Sequence, residues 1–305
     1  MKNKVVILGS LNVDTTLHVA NMPLPGETIT AQSKTSSPGG KGANQAVAAA
    51  RSNAEASFIG QVGADDSGKM MIKCMKNNNI NADNINVVED QGTGSAVILL
   101  DGNGQNSIMV YGGANQSIGS EVIEQAHSLI ANADFIIAQF ETPQERTLEA
   151  FKIAKENGVK TILNPAPAAT IIPELLNYTD LIVPNETESG SLTGIEVTDV
   201  ASMDANAAKF AEMGAKNIII TVGDKGAYYS ANGTHGFVPA FKVDAVDTTA
   251  AGDTFIGALS SQLNQDFGNI EDALIYAQKA SSITVQSMGA LPSIPTAEKI
   301  NETYK

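Results

Sequence analysis

The chain has few of the residues that would place it outside a reducing compartment or in a membrane. Its one cysteine, Cys74, cannot form an internal disulfide, so a cytoplasmic protein is expected. No apolar run reaches the ~18 residues a membrane span needs. The start, Met1-Lys2-Asn3-Lys4, leads into an apolar run too short for a secretory signal and lacks a small-residue cleavage pattern.

Positive charge is also scarce. The 19 Lys and Arg face 33 Asp and Glu, for a net charge of −14, and no basic residues form a block. Nucleic acid is therefore not an expected partner. A small anion would have to be held by helix N-termini, a few lysines and a metal ion. His18, His127 and His235 are scattered, without the spacing of a zinc site. Repeats, low-complexity tracts and interdomain linkers are missing too. With 305 residues, 43% hydrophobic and 17% charged, the chain can bury a full sheet as a single α/β domain, although length alone would allow two.

What is present is organised around Asp247-Thr248-Thr249-Ala250-Ala251-Gly252-Asp253-Thr254-Phe255. Two acids bracket a run of small residues that passes into the helical pattern Ile256-Gly257-Ala258-Leu259. A helix is expected to begin near Gly252. Its first N–H groups lack intrahelical partners and carry the positive end of the dipole, so the turn is a natural anion cradle. A carboxylate at the mouth of such a cradle costs repulsion unless it does chemistry, such as taking the proton of a hydroxyl that attacks phosphorus. Taken alone, Asp253 has a plainer explanation as a first-turn acid that interacts well with the dipole.

Lys4 to Gly9 reads as a buried strand, and Ser10-Leu11-Asn12-Val13-Asp14 brings polar residues to its end, where open α/β sheets bind ligands. Asn12 and Asp14 share parity in an extended chain and so point the same way; a simple turn would also account for them. Residues 15–37, with Pro23, Pro25 and Gly26, and residues 96–111, around Asp101-Gly102-Asn103-Gly104, predict two β excursions that pair into a small lid. Between them, Gly39-Gly40-Lys41-Gly42-Ala43-Asn44-Gln45 opens an Ala-rich helix through Arg51. Its glycines permit close approach of a ligand, with Lys41 and Asn44 at the mouth; a plain glycine turn is the alternative. The run lacks the third glycine of a dinucleotide fingerprint. Gly63-Ala64-Asp65-Asp66-Ser67-Gly68-Lys69 has P-loop spacing, but Met70 stands where a metal-coordinating hydroxyl belongs, which predicts an ordinary strand-to-helix turn.

From Ser120 onward, helical patterns at 120–131, 143–156 and 204–213 alternate with strand-like runs at 135–138, 160–163, 181–183 and 217–222. This order predicts an α/β fold in which a central, mostly parallel sheet is flanked by helices on both faces and carries the small β lid, all within one domain, 1–305. Gln139 and Glu141, Asn164, Asn185 with Glu188, and Thr221 with Gly223 close successive strands and define a cleft along one edge. Asn185 is a natural cap for Glu186-Thr187-Glu188; alternatively, Asn185 and Glu188 hold a hydrated Mg²⁺. Gly223-Asp224-Lys225-Gly226 is a hairpin-like turn, either open to a nucleotide or no more than a turn. Residues 269–286 read as a long helix whose small residues suit close packing or a flat ligand.

Together, Gly39 to Ala46, Asn185 to Glu188 and Asp247 to Phe255 resemble the ribokinase-type (PfkB) carbohydrate and nucleoside kinase family, which includes fructokinases and adenosine kinase, over Lys4 to about Pro295. Asn12, Asp14 and Gln139-Phe140-Glu141 are similar to its ribose-specific branch. The resemblance implies ATP-dependent phosphorylation of the 5-hydroxyl of D-ribose. It implies that Asn12, Asp14, Gly40, Lys41, Asn44 and Glu141 hold the sugar and that Asp253 is the base. The amides of Ala250, Ala251, Gly252 and Asp253 would form the anion hole, and Asn185, Thr221, Gly223, Gly226 and Gly252 would line the nucleotide site. Glu188 would stand near the waters of Mg²⁺. A monovalent cation, expected to be K⁺, would sit among Asp247, Thr249, Thr284, Ser287, Gly289 and Ser293, several of them acting through main-chain oxygens. The lid would also serve as a homodimer interface. Asp224 departs from the neutral residue a nucleotide-facing loop would prefer, and Pro38 stiffens the return from the lid. The rivals are another kinase of the family, acting on deoxyribose, fructose or a nucleoside, and a non-catalytic sugar sensor, which would have no use for a base.

Overall fold

The computed structural model of the chain describes residues 2–305. Strand β1 (Lys4–Leu8) is buried through its apolar run: Val5 and Ile7 join one core, Val6 and Leu8 the other. A strand that is apolar at both parities belongs in a sheet covered on both faces. The chain then leaves that sheet, and β2 (Asn12–His18) pairs antiparallel with β3 (Ser33–Gly39). It continues through α1 (Lys41–Arg51), β4 (Glu55–Gly63), α2 (Asp66–Asn77), β5 (Asn81–Val88), β6 (Gly94–Leu100) and β7 (Asn106–Tyr111). Next come α3 (Ser120–Gln125), α4 (His127–Ala131), β8 (Phe135–Ala138), α5 (Gln144–Glu156), β9 (Lys160–Leu163), α6 (Pro173–Asn177) and β10 (Leu181–Ile182). The last part holds α7 (Glu186–Thr193), α8 (Val200–Met213), β11 (Ile218–Val222), β12 (Gly226–Ala231), β13 (Thr234–Pro239), α9 (Ala251–Gln262), α10 (Ile270–Thr284) and α11 (Ala297–Thr303).

The large sheet has the order β13-β12-β11-β10-β9-β8-β1-β4-β5. It is parallel from β11 to β5 and antiparallel only where β12 and β13 are added at one end. On one face α1, α2, α9 and α10 contribute Val47, Met71, Phe255 and Leu274; on the other, α3, α5, α6 and α8 contribute Ile123, Phe151, Leu175 and Phe210. The second sheet, in the order β3-β2-β6-β7, contains strands from both excursions, and β2 and β6 lie parallel at its centre. Among the described residues no helix is long and apolar enough to cross a membrane.

Three local expectations need adjustment. Asn12 and Asp14 lie on β2, in the small sheet, and not at the end of β1; Gly9-Ser10-Leu11 carries the chain across. The helix expected at 120–131 is two, α3 and α4, meeting at Ala126. The helix expected from 204 begins at Val200, because Asp199 and Ser202 form a reciprocal capping box that starts it a turn earlier. Gly63 to Lys69 does form a strand-to-helix turn, in which the Asp65 side chain accepts from Gly68 N–H at 2.7 Å and caps α2.

One contact brings the two motif helices together. A Cβ at Gly257 on α9 would lie 2.4 Å from the carbonyl oxygen of Gln45 and 2.5 Å from the Ala48 Cβ on α1. Only glycine lets the two backbones approach this closely.

Candidate active site

The N-terminal ends of α1 and α9 meet beside residues that lie just past β8, β9 and β10, the position where parallel sheets place their ligands. α9 starts from Ala250, which adopts the left-handed conformation (φ 61°) without a side-chain cap. For a residue with a Cβ this costs about 1–3 kcal/mol and recurs at functional sites. Ala251 N–H donates to Thr248 O at 3.2 Å and Thr254 N–H to Ala250 O at 2.8 Å, whereas the N–H groups of Gly252 and Asp253 make no hydrogen bond among the described residues. A Cβ on Gly252 would meet nothing within 4 Å. Unspent donors at a helix tip therefore face open space, an arrangement suited to an anion.

The Asp253 side chain is buried and held at both oxygens. Asn44 Nδ2 donates to Oδ2 at 2.9 Å and Gln45 Nε2 to Oδ1 at 3.0 Å. Burial pushes the carboxyl above its usual range against the pull of Lys41 and of the two amides. Burial would lower the Lys41 ammonium, but Asp253, Glu141 and Glu188 outweigh it and hold the group charged. Glu141 is fixed by Ser10 Oγ–H and by Lys41 N–H, the latter at 3.0 Å. Asp14, on the neighbouring sheet, is pushed up to about 6 by burial and by Glu141. Gly40, at the N-cap of α1 with φ 95°, lies against the Ser10 carbonyl.

Several residues of this network carried no role in the sequence. Asn115 accepts from Leu11 N–H at 2.9 Å and donates to Asn12 Oδ1 at 2.8 Å, which fixes Asn12. Gln45 also donates to Asn164 Oδ1 at 3.1 Å and accepts from Gln139 Nε2 at 2.6 Å, while Asn164 Nδ2 donates to Val183 O at 3.0 Å. Gln45 stood in the glycine motif and Gln139 and Asn164 at strand ends, but the pattern could not say that they meet. The buried Asn44 Oδ1 has no partner and is free to accept from a ligand hydroxyl.

A cavity of about 220 Å³ is lined by Lys41, Asn185, Glu188, Thr221, Gly252 and Asp253. Asn185 and Thr221 are paired by a β-bridge, and Asn185 and Glu188 complete a capping box on α7, with Glu188 Oε2 accepting from Asn185 N–H at 2.9 Å. Burial raises the Glu188 carboxyl against the pull of the Asn185 N–H and of Lys41. Gly223 and Gly226 lie outside this lining. Gly226 has φ 137°, and a Cβ there would lie 2.1 Å from Val238 O, so the β12–β13 pairing already requires glycine. A larger groove, of about 730 Å³, lies apart between Ala168, Leu176, Leu192 and Met213 and has no charged residue in its lining.

In the turn that precedes α9, Asp247 Oδ1 accepts from the Thr249 N–H at 2.9 Å and hydroxyl at 2.6 Å, and Oδ2 accepts from Gly289 N–H at 2.8 Å. Burial would raise the Asp247 carboxyl, but these donors hold it below the usual range. With both side-chain oxygens engaged, Asp247 can offer a cation its main-chain oxygen. Thr284 Oγ1–H donates to Thr254 Oγ1 at 3.1 Å, the Thr284 carbonyl accepts from Ser287 N–H at 3.2 Å, and Ser293 Oγ–H donates to Ala290 O at 2.7 Å. Arg51 donates to Leu291 O at 2.9 Å and Ile294 O at 2.7 Å, anchoring this loop to the end of α1. Among the described residues no group of three or more His, Cys, Asp or Glu could hold a metal ion, so carbonyl, hydroxyl and water oxygens make up the donor set available to a cation here.

The arrangement of buried carboxylate, adjacent ammonium and bare helix tip can hold a hydroxyl against a phosphoryl group. Residues 2–297 match the model of the pfkB family of carbohydrate kinases. The chain is 46% identical to a ribokinase of Staphylococcus aureus over 99% of its own length and all of that protein. It is 52% identical to a bifunctional ribokinase/ribose-5-phosphate isomerase A of Fructilactobacillus sanfranciscensis over 97% of its length, and there it spans 55% of the relative. Its backbone superposes on Arabidopsis thaliana ribokinase, solved with ribose and ATP, at a TM-score of 0.93 and 31% identity, covering all of this chain and 99% of that one. By the match that runs over nearly its whole length, this chain belongs to the pfkB family of carbohydrate kinases.

Proposed function

We propose that the chain transfers the terminal phosphoryl group of ATP to the 5-hydroxyl of D-ribose, giving D-ribose 5-phosphate and ADP. The carrying observation is Asp253, a buried carboxylate held by two amides at the mouth of a helix tip where the N–H groups of Gly252 and Asp253 are unspent. The choice of sugar is supported by the names of the relatives above. Asn12, Asp14, Gly40, Lys41, Asn44 and Glu141 hold the sugar hydroxyls. Asp253 accepts the proton of the 5-hydroxyl as that oxygen attacks phosphorus. The tip formed by Ala250, Ala251, Gly252 and Asp253 stabilises the charge on the moving group; phosphoryl transfer asks mainly for positioning and charge stabilisation. Asn185, Thr221 and Gly252 line the nucleotide site within the cavity beside Asp253, and Gly223 and Gly226 extend it along the β11–β12 turn that follows Thr221.

Glu188 fits a hydrated Mg²⁺: one oxygen is tied to the Asn185 N–H and the carboxylate borders the same cavity as Asp253. When bound, Mg²⁺ neutralises phosphate charge. The main-chain and hydroxyl oxygens of Asp247, Thr249, Thr284, Ser287, Gly289 and Ser293 fit a monovalent cation such as K⁺, which would stiffen the turn leading into the helix tip. The protein acts in the cytoplasm as one kinase domain, with a lid formed by residues 15–37 and 96–111. It dimerises through that lid, whose edge strand β7 exposes Ile108, Met109, Val110 and Tyr111.

The test is ADP release measured over ribose, deoxyribose, fructose and a set of nucleosides. Ribose should give the highest kcat/KM; a higher value for any other acceptor reassigns the substrate, and binding of ribose without turnover removes the kinase assignment. Asp253→Asn should keep the fold and lose about 10²–10⁴ in kcat, the range for a positioned base.

A further inference from the structure

Gln45 has no part in the chemistry above, yet its side chain is fully buried and both ends of its amide are engaged. The orientation of that amide is dictated from the sheet. Val183 O can only accept, so it draws the Asn164 amide nitrogen toward itself and leaves Asn164 Oδ1 facing Gln45. That oxygen needs a donor, which only Gln45 Nε2 provides. Gln45 Oε1 is then turned to Gln139, whose Nε2 donates to it. The second proton of Gln45 Nε2 falls on Asp253 Oδ1. Residues just past β8, β9 and β10 thus fix one side chain of α1, and that side chain fixes the carboxylate on α9.

We propose that Gln45 is the positioning residue for Asp253, that Asn164 sets its amide so that an N–H, and never a C=O, faces the carboxylate, and that Gln139 holds the opposite end of that amide. The proposal rests on the assignment of Asp253 as the base and adds what holds that base in its charged state and rotamer. Without the donor, a carboxylate this deeply buried would bind its proton more tightly and be held at Oδ2 alone, by Asn44. The charged groups that face Asp253 are Lys41 from α1, Glu141 after β8 and Glu188 from α7. Lys41 favours its anion and the two glutamates oppose it, so a hydrogen bond from a neutral amide adds to the ammonium without adding charge.

The experiment compares pH profiles of kcat for the wild type, Gln45→Met, Gln139→Met and the double variant, with Asp253→Asn alongside and thermal melting to verify folding. Gln45→Met should lower kcat about 10- to 100-fold, the weight of a hydrogen bond to a charged group. It should also move the acid limb of the profile to higher pH by about one unit, while KM for ribose stays within about twofold, because Gln45 has no exposed surface to offer a sugar. Gln139→Met should act in the same direction but less. The double variant should be no worse than Gln45→Met, since Gln139 acts only through Gln45. An unmoved acid limb in Gln45→Met, or effects of the two changes that multiply in the double variant, would overturn the proposal. If Gln45→Met does not fold, the acid limb of Gln139→Met decides: a shift upward supports the proposal and no shift overturns it. An active Asp253→Asn removes the base assignment itself, whereas an inactive Asp253→Asn beside an unaffected Gln45→Met removes only the positioning role.

Discussion

Asp14 and Gly252 show what single side chains contribute. Asp14 has a folded pKa of about 6 against an ordinary 3.8, so folding favours its protonated form. Its contribution to stability is fully present below 3.8 and is lost as pH rises through about 6. Thermal melts of the ligand-free protein should therefore show a loss over that interval, about 2–3 kcal/mol as an upper limit, and Asp14→Asn should flatten it. The same ionisation makes the carboxylate a pair of acceptors for sugar hydroxyls, so KM for ribose should rise as pH falls below about 6 in the wild type and not in Asp14→Asn. Gly252 should separate stability from activity. Its Cβ position is open, and alanine is favoured over glycine inside a helix by about 1 kcal/mol. Gly252→Ala should therefore melt no lower than the wild type and still lose activity, because the methyl occupies the space in front of the unspent N–H groups. A variant with unchanged kcat/KM would show that this space is not used. Lys41, Asn44 and Asp253 were legible because each stands inside a compact motif. The roles of Gln45 and Asn115 were not, because their partners lie far away in the sequence, at positions 139 and 164 and at positions 11 and 12.

Between elements, the contact of α1 with α9 sets the geometry of the site. Gly257→Ala would drive its new methyl into the Gln45 carbonyl oxygen and the Ala48 Cβ on α1. Overpacking of this kind costs about 1–3 kcal/mol. It should also part Asp253 from Asn44 and Gln45, so that kcat falls much further than a lower melting temperature explains; a variant that loses stability alone would mean the helix contact does not set the base. The parallel order of strands was legible from Ser120 onward because short apolar runs alternate there with helical periods. β4 and β5 were harder to see. Gly60, Gln61 and Gly63 interrupt the apolar run of the first, and Asn81, Asn84 and Asn86 make the second, an edge strand, look like a loop. The early start of α8 was hidden because Asp199 and Ser202 read as polar loop until their reciprocal bonds are seen.

At the scale of the whole molecule, the small sheet is the part that looks unfinished. Ile108, Met109, Val110 and Tyr111 on its edge strand are each more than half exposed, a run of apolar surface that a soluble protein usually covers. Sedimentation should give twice the mass of one chain, and Val110→Glu should reduce it to one. A monomeric wild type would reject the dimer. The small sheet also divides the proposed seat of the sugar. Asn12 and Asp14 belong to β2, while Asn44 and Asp253 ride on helices packed against the large sheet. A pentose that bonds to both sets would act as a strap between the two sheets, drawing them together and squeezing out the solvent between them. Ribose alone should then shrink the radius of gyration seen by small-angle scattering, and ATP should be spared from idle attack by water until the strap is fastened.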